Sequence, residues 1–301
     1  MVAADTAGRL VFFGTEAYSV PTLEALLAAG YHVATVVTKP DAPAGRGRTL
    51  VAPEVKLAAE RHGLPVLQPA RLREVVAELA ALHAEAGVLV AFGKIIPPAV
   101  LELFPRGIIN IHPSLLPRYR GPAPIEAAIL AGDQRTGVTL MQLDAGMDTG
   151  PLYAQITVEL TGHESRAELY NHLFGLGTEL LIQHLPAILG GQLLPQSQPA
   201  SGASVTRLLT KADGQLDLSQ PAAALERHIR AYLGWPGSHT TVARTDVTIT
   251  AAHVASPTEA TAPTQRQLLF PTSDGALIID RLKPAGRRDM AAQEFLAGHQ
   301  L

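Results

Sequence analysis

The sequence predicts an α/β protein, a doubly wound and mostly parallel sheet followed by a small C-terminal β-barrel. Three observations carry this. Apolar runs of strand length alternate with helically spaced stretches as far as residue 189, the order that builds a sheet with helices on both faces. The run GVLVAF at 87–92 is continuously apolar, as expected of a strand covered on both sides. After a Gly/Pro/Ser/Gln-rich stretch at 190–206 the character changes to β-rich segments. The expected division is 1–195, a linker at 196–206, and a C-terminal domain at 207–301.

In chain order, residues 10–13 form an apolar strand stopped by Gly14, and 21–29 carry helical spacing with Gly30 as the stop. One glycine in that turn is too few for a dinucleotide fingerprint or a phosphate-binding loop. Residues 31–38 read as the second strand. KPDAPAGRGRTLVAP at 39–53 reads as a long Pro/Gly loop with three cations, a length at which loops tend to be functional or disordered. Helices follow at 54–60 and 72–82, strands at 64–67 and 87–92, and a short helix at 98–104.

Residues 107–112 form a strand whose alternation puts Asn110 and His112 on one face, with Cα atoms about 6.6 Å apart. Pro113, Pro117, Pro122 and Pro124 then force an irregular loop. A helix at 125–131, a strand at 136–143, the turn DAGMDTG at 144–150, a strand at 151–160 and a helix at 164–189 complete the first domain. In the second, a helix at 221–233 precedes β-rich stretches at 239–254 and 266–282, and a helix at 291–297 closes the chain. This is the pattern of a small antiparallel barrel, OB-like in size.

Composition excludes several classes. At 301 residues and 47% hydrophobic the chain can bury two cores. It has no cysteine, so disulfides, thiolate metal sites and cysteine nucleophiles are out, and a cytoplasmic setting is expected. MVAADTAGRL does not read as a signal peptide. The net charge of −3 is not that of a strongly basic nucleic-acid binder, so a polyanion would be met by local clusters such as Lys39 with Arg46 and Arg48.

No two of the eleven histidines have zinc-site spacing, no GxSxG elbow exists, and DAGMDTG departs from a calcium loop: an oxygen ligand is missing at Gly146, the glycine is displaced and no glutamate closes it. Asn110, His112 and one or both of Asp144 and Asp148 remain. An amide, an imidazole and a carboxylate around one pocket suit acyl transfer to an amine: the first two can donate to an oxyanion, and the carboxylate can hold the imidazole protonated or help take the amine's proton.

NIHPSLLPRYRGPAPI at 110–125 with LDAGMDTG at 143–150 resembles the signature of the 10-formyltetrahydrofolate-dependent formyltransferases. KPDAPAGRGRTL at 39–50, LTKADGQLDL at 209–218 and IRAYLGWPGSHT at 229–240 narrow the resemblance to those acting on methionyl-tRNA. The resemblance implies a Rossmann-like formyltransferase domain with Asn110, His112 and Asp148 as catalytic trio. It implies 10-formyltetrahydrofolate as formyl donor, no metal, and folate contacts at Ser114, Leu115, Leu116 and Pro117. Val90, Phe92, Leu143 and Gly146 would line the pterin pocket. The implied partner is initiator methionyl-tRNA, met by Lys39, Arg46, Arg48 and Lys211, with the C-terminal domain supporting the rest of the tRNA. The chain is read as a monomer serving translation initiation. Leu116-Pro117 is expected to be cis, because a rigid pocket loop is where such bonds occur.

Overall fold

The computed structural model describes residues 8–44, 49–261 and 267–298. In chain order they form β1 (Arg9–Gly14), α1 (Val20–Ala28), β2 (His32–Val37), β3 (Ala42–Ala44), β4 (Thr49–Val51), α2 (Glu54–Arg61) and β5 (Val66–Leu67). Next come α3 (Val76–Ala81), β6 (Ala86–Val90), α4 (Pro98–Leu101), β7 (Ile108–His112), α5 (Pro124–Ala131), β8 (Arg135–Gln142), β9 (Leu152–Glu159) and α6 (Arg166–Leu189). The remainder is α7 (Ala222–Tyr232), β10 (Ser238–Val242), β11 (Thr245–Val254), α8 (Pro257–Thr261), β12 (Leu268–Pro271), β13 (Ala276–Pro284), β14 (Met290–Ala291) and α9 (Ala292–Ala297). Contacts divide the chain into two compact units. The first is Met1–Pro122, Arg135–Val158 and Tyr170–Thr206, and the second is Ala123–Gln134, Glu159–Leu169 and Arg207–Leu301.

The first unit holds a seven-stranded sheet in the order β5-β2-β1-β6-β7-β8-β9. Pairing is parallel from β5 through β7, and β8 runs antiparallel to β7. The chain winds outward from β1 in one direction and then the other, which puts the topological switch point between β1 and β6. The continuous apolar runs are explained by burial on both sides. Leu10 and Phe12 of β1 enter one core cluster, with Val88, Ile109, Ile111 and Leu181. Val11 and Phe13 enter the other, with Phe92, Phe104 and Ile108. Truncating either fully buried phenylalanine to alanine costs about 3–5 kcal/mol.

This division of faces places the site. Ile109 and Ile111 point into the first cluster, so the period of two sends Asn110 and His112 to the face shared with Ile108.

The Pro/Gly loop expected at 39–53 is more ordered at its ends than composition indicates. β3 and β4 pair antiparallel through Ala42↔Val51, Pro43↔Leu50 and Ala44↔Thr49. Asp41 pins the base of this ribbon, accepting from Lys56 Nζ at 2.9 Å and Gln68 Nε2 at 2.7 Å. The Gln68 and then the Lys56 hydrogen bonds hold its carboxyl below the ordinary aspartate range. Residues 45–48, Arg46 and Arg48 among them, lie outside the described residues.

The second unit carries an antiparallel sheet, β10-β11-β13-β12 with β14 on β13. Leu225 and Ile229 of α7 cover it together with Phe295 of α9. The stretch read as one β-segment at 239–254 is a hairpin. Its two-residue turn, Ala243-Arg244, takes φ of 46° and 62°, the conformation two-residue hairpins need but without the Asn-Gly or Asp-Gly that usually announces it. β14 was not expected either, for two residues carry no readable period.

Candidate active site

β7 delivers two polar side chains into an apolar setting: Asn110 is 6% exposed and His112 4%. His112 Nε2 lies 2.9 Å from the Tyr119 carbonyl oxygen. A carbonyl only accepts, so Nε2 carries a proton and donates it there. Nδ1 lies 3.6 Å from Asp148 Oδ2, beyond hydrogen-bond length but close enough for charge to act. The Asn110 side-chain amide has no hydrogen-bond partner among the described residues. Its donor capacity is unspent, on the same face of the strand as His112, whose Nε2 is committed to the Tyr119 carbonyl.

The proline-rich loop is fixed from within. Ser114 donates to the Arg118 carbonyl at 2.6 Å. Thr139 of β8 donates to the Ser114 carbonyl at 2.6 Å and accepts from Leu116 N at 3.2 Å and Gln155 Nε2 at 2.9 Å. The Leu116-Pro117 bond is cis, as expected. Tyr119 then adopts φ 57°, turning its carbonyl toward His112. Arg118 stacks over the Tyr119 ring at 4.7 Å.

Spacing left Asp144 and Asp148 open, and the structure separates them. Asp144 closes its own turn, accepting from Gly146 N at 3.0 Å and Thr149 Oγ1 at 2.7 Å. Asp148 adopts φ 50°, a region aspartate tolerates better than most residues. Its carboxylate accepts from Gly121 N at 2.7 Å and reaches His112. Gly121 has φ +97°, and a Cβ there would come within 2.6 Å of the Thr206 carbonyl, so only glycine brings this N–H to Asp148.

The stretch that composition reads as a connector is stitched to the site loop. Gln196 bridges Leu152. Ser204 Oγ accepts from Tyr119 N at 2.8 Å, its carbonyl accepts from Arg120 N at 2.9 Å, and Thr206 N donates to the Arg120 carbonyl at 2.7 Å. Gln198 Nε2 donates to the carbonyls of Asp148 at 2.7 Å and Gly150 at 2.8 Å. Gln198, Ser204 and Thr139 were missed, and no motif signals them: their partners are tens of residues away.

The other expected contacts are placed as follows. Ser114 is 1% exposed and its hydroxyl is spent inside the loop. Leu116 is buried, while Leu115 and Pro117 are partly exposed. Val90 and Phe92 lie in the two core clusters, Phe92 edge-on to Phe13 at 5.7 Å, so only their backbone reaches the strand ends. Phe92 lies beyond β6, which stops at Val90. Leu143 N donates to the Ile108 carbonyl at 2.8 Å, at the start of β7, and Gly146 is exposed in the turn. The Lys39 ammonium lies over Gly93. Lys211 is exposed at the start of a 3-10 turn, Lys211–Gly214, in the second unit. It lines a groove of about 850 Å³ along β10 and β11.

Among the described residues no group of three or more His, Asp or Glu could hold a metal ion, and no helix is long and apolar enough to cross a membrane.

Residues 8–185 match the Formyl transferase family and 208–300 match Formyl transferase, C-terminal domain. The methionyl-tRNA formyltransferase of Chloroflexus aggregans is 46% identical over 300 residues, 96% of this chain and 97% of that one. That of Halorhodospira halophila is 44% identical over 302 residues, 98% and 97% of the two chains. Among solved structures, an N-formyltransferase from Helicobacter canadensis, in complex with folinic acid and dTDP-3-aminofucose, is similar with a TM-score of 0.69 and 19% identity, over 90% of this chain and 98% of that one. HypX from Aquifex aeolicus with tetrahydrofolic acid gives a TM-score of 0.67 at 18% identity over 97% of this chain, which spans 47% of HypX. At such identity these two show the fold. Identity above 40% over nearly the whole length carries more: the chain belongs to the formyl transferase family, among the methionyl-tRNA formyltransferases.

Proposed function

We propose that this chain transfers the formyl group of 10-formyltetrahydrofolate to the amino group of methionyl initiator tRNA, with Asn110, His112 and Asp148 at the reacting carbon. The observation that carries the site assignment is the unspent Asn110 amide on the same strand face as an imidazole that is held at Nε2 by the Tyr119 carbonyl and faces the Asp148 carboxylate with Nδ1. Attack of a neutral amine on a formyl carbon creates an oxyanion. A preorganised donor in a site shielded from bulk water stabilises that charge, and removing one such donor typically costs ~10²–10³ in turnover. Asn110 fits this role because its donor owes nothing to the fold.

His112 has a narrower freedom than its residue type implies. Nε2 is committed to the Tyr119 carbonyl, so Nδ1 is the atom that exchanges protons in the site. It can give a proton to the departing donor nitrogen, directly or through water, with the Asp148 carboxylate 3.6 Å away on the same side of the ring. The folate is proposed to lie against Leu115 and Pro117 and the backbone of 90–93, with the 143–146 turn alongside. Ser114 and Leu116 would shape that wall from behind, their own groups being buried.

Lys39, Arg46, Arg48 and Lys211 are proposed to meet tRNA phosphates, the second unit supporting the rest of the molecule, in a cytoplasmic, monomeric enzyme. The deciding experiment offers 10-formyltetrahydrofolate with either charged initiator tRNA or an amino-sugar nucleotide. Formylation of the tRNA amine is expected. Formylation of the sugar alone would refute the acceptor assignment while keeping the chemistry.

A further inference from the structure

Asp148 is useful to His112 only while its backbone stays in the left-handed region, and two hydrogen-bonding groups hold it there. Gly121 N holds the carboxylate. The main chain is held by Gln198, whose amide donates to the Asp148 and Gly150 carbonyls at 2.7 and 2.8 Å and so clamps both sides of residue 149. The orientation of that amide is not free. Its Oε1 accepts from Arg120 Nε at 3.1 Å and Nη2 at 2.6 Å. A guanidinium can only donate, so Oε1 must face Arg120 and the NH₂ must face the two carbonyls. Both donors and both lone pairs of the amide are used. Arg120 in turn is fixed by its own backbone, bridged to Ser204 and Thr206.

We infer that Gln198 is a positioning residue for the formyl transfer, acting through Asp148 on His112, with Arg120 setting the direction of its amide. It lies between the two segments that match the family, 8–185 and 208–300, in a stretch whose composition is that of a connector. The inference rests on the proposed role of Asp148. A left-handed non-glycine residue persists only where its surroundings over-determine it, and Gln198 supplies that constraint from outside the turn.

The test is a double-mutant cycle with steady-state kinetics on the full chain. Gln198→Met keeps the length and removes every hydrogen bond. Its kcat should fall about 10- to 100-fold, the scale of a small misplacement at a reacting centre, while KM for 10-formyltetrahydrofolate stays within about twofold. In an Asp148→Asn background the same change should add almost nothing, because its effect passes through Asp148. Equal factors in both backgrounds, or unchanged kcat, would overturn the inference, since a purely structural tie would act independently of residue 148. Gln198→Glu, which keeps the acceptor toward Arg120 and sets a carboxylate oxygen in place of the two donors, against the Asp148 and Gly150 carbonyls, should reproduce the kcat loss even if the methionine variant folds poorly. A crystal structure of Gln198→Met supplies a readout free of any assay: Asp148 should leave its φ of 50° and move beyond 3.6 Å from His112. An unchanged turn refutes the idea. If the wild type formylates no acceptor, the proposed function fails on its own, and that structure still decides the positioning.

Discussion

Two stretches of this chain read alike and fold differently. Residues 39–53 and 190–206 are both rich in Gly and Pro, and both connect regular elements. The first becomes a two-stranded ribbon whose second strand, TLV, is wholly exposed, anchored at its base by Asp41, Lys56 and Gln68. The second has no regular element, yet it is joined by hydrogen bonds to Leu152, Arg120, Tyr119, Asp148 and Gly150. Composition reports how little a segment can bury. It does not report whether distant groups will satisfy its backbone. Thr49, Leu50 and Val51 of the ribbon face outward, whereas the strap spends its polar groups on the site loop and the turn at 148–150.

That contrast makes the consequences of mutation separable. The largest effect is expected at the residue the strap serves. Asp148→Asn removes the charge beside His112 and should lower kcat by ~10²–10⁴, the usual worth of a general acid–base partner, with folate affinity nearly intact. Comparable losses in both, measured by turnover and by folate titration, would remove Asp148 from catalysis. On the ribbon side, Arg46→Ala with Arg48→Ala should raise KM for tRNA by roughly tenfold or more, as loss of charge-assisted contacts does. It should leave KM for the folate alone. The salt dependence of tRNA binding should also flatten, by about one unit of log-log slope for each lost phosphate contact. A wild-type slope would show that these arginines meet no phosphate.

Smaller effects sharpen the comparison further. Ser204→Ala deletes the acceptor of Tyr119 N, and the loss of one such bond should cost about 1 kcal/mol in denaturant unfolding. Because the Tyr119 carbonyl holds His112, kcat should fall several-fold as well. A fall in stability with unchanged kcat would confine Ser204 to scaffolding.

The last prediction concerns pH. Asp41 has its folded-state pKa lowered by Gln68 and Lys56, so its contribution to the ribbon is present above the unfolded value. It is lost as pH falls below about 4 through the lowered folded one. Limited proteolysis at the ribbon should therefore accelerate in acid, and Asp41→Asn should remove that dependence. The strap's own contacts are made by neutral amides, hydroxyls and the Arg120 guanidinium, so cleavage within 196–206 should show no matching transition.

Much of the first unit was legible. β1, β2 and β7 appear within two residues of their expected bounds, because a strand buried on both faces leaves a continuous apolar run and its ends are marked by Gly or Pro. Helices α2, α5 and α7 were equally readable from apolar spacing. The ribbon, the Ala243-Arg244 hairpin and β14 were not, since exposed or two-residue strands carry no hydrophobic period. In the site, alternation alone placed Asn110 and His112 on one face. It could not choose between Asp144 and Asp148, and it could not tell that Val90 and Phe92 turn into the core.

The sequence by itself determined the parts whose physics is local: alternation along β7, the proline exit after His112, and the absence of thiols and of zinc-spaced histidines. The resemblance of its motifs fixed the family. Tertiary structure decided which carboxylate meets the imidazole, which imidazole nitrogen is committed, and that Gln198 and Ser204 belong with the site. Those outcomes depend on groups that must find partners when buried; Tyr119 is seven residues from His112, but the other backbone ties span 27 to 85 residues, too far for any spacing rule to see.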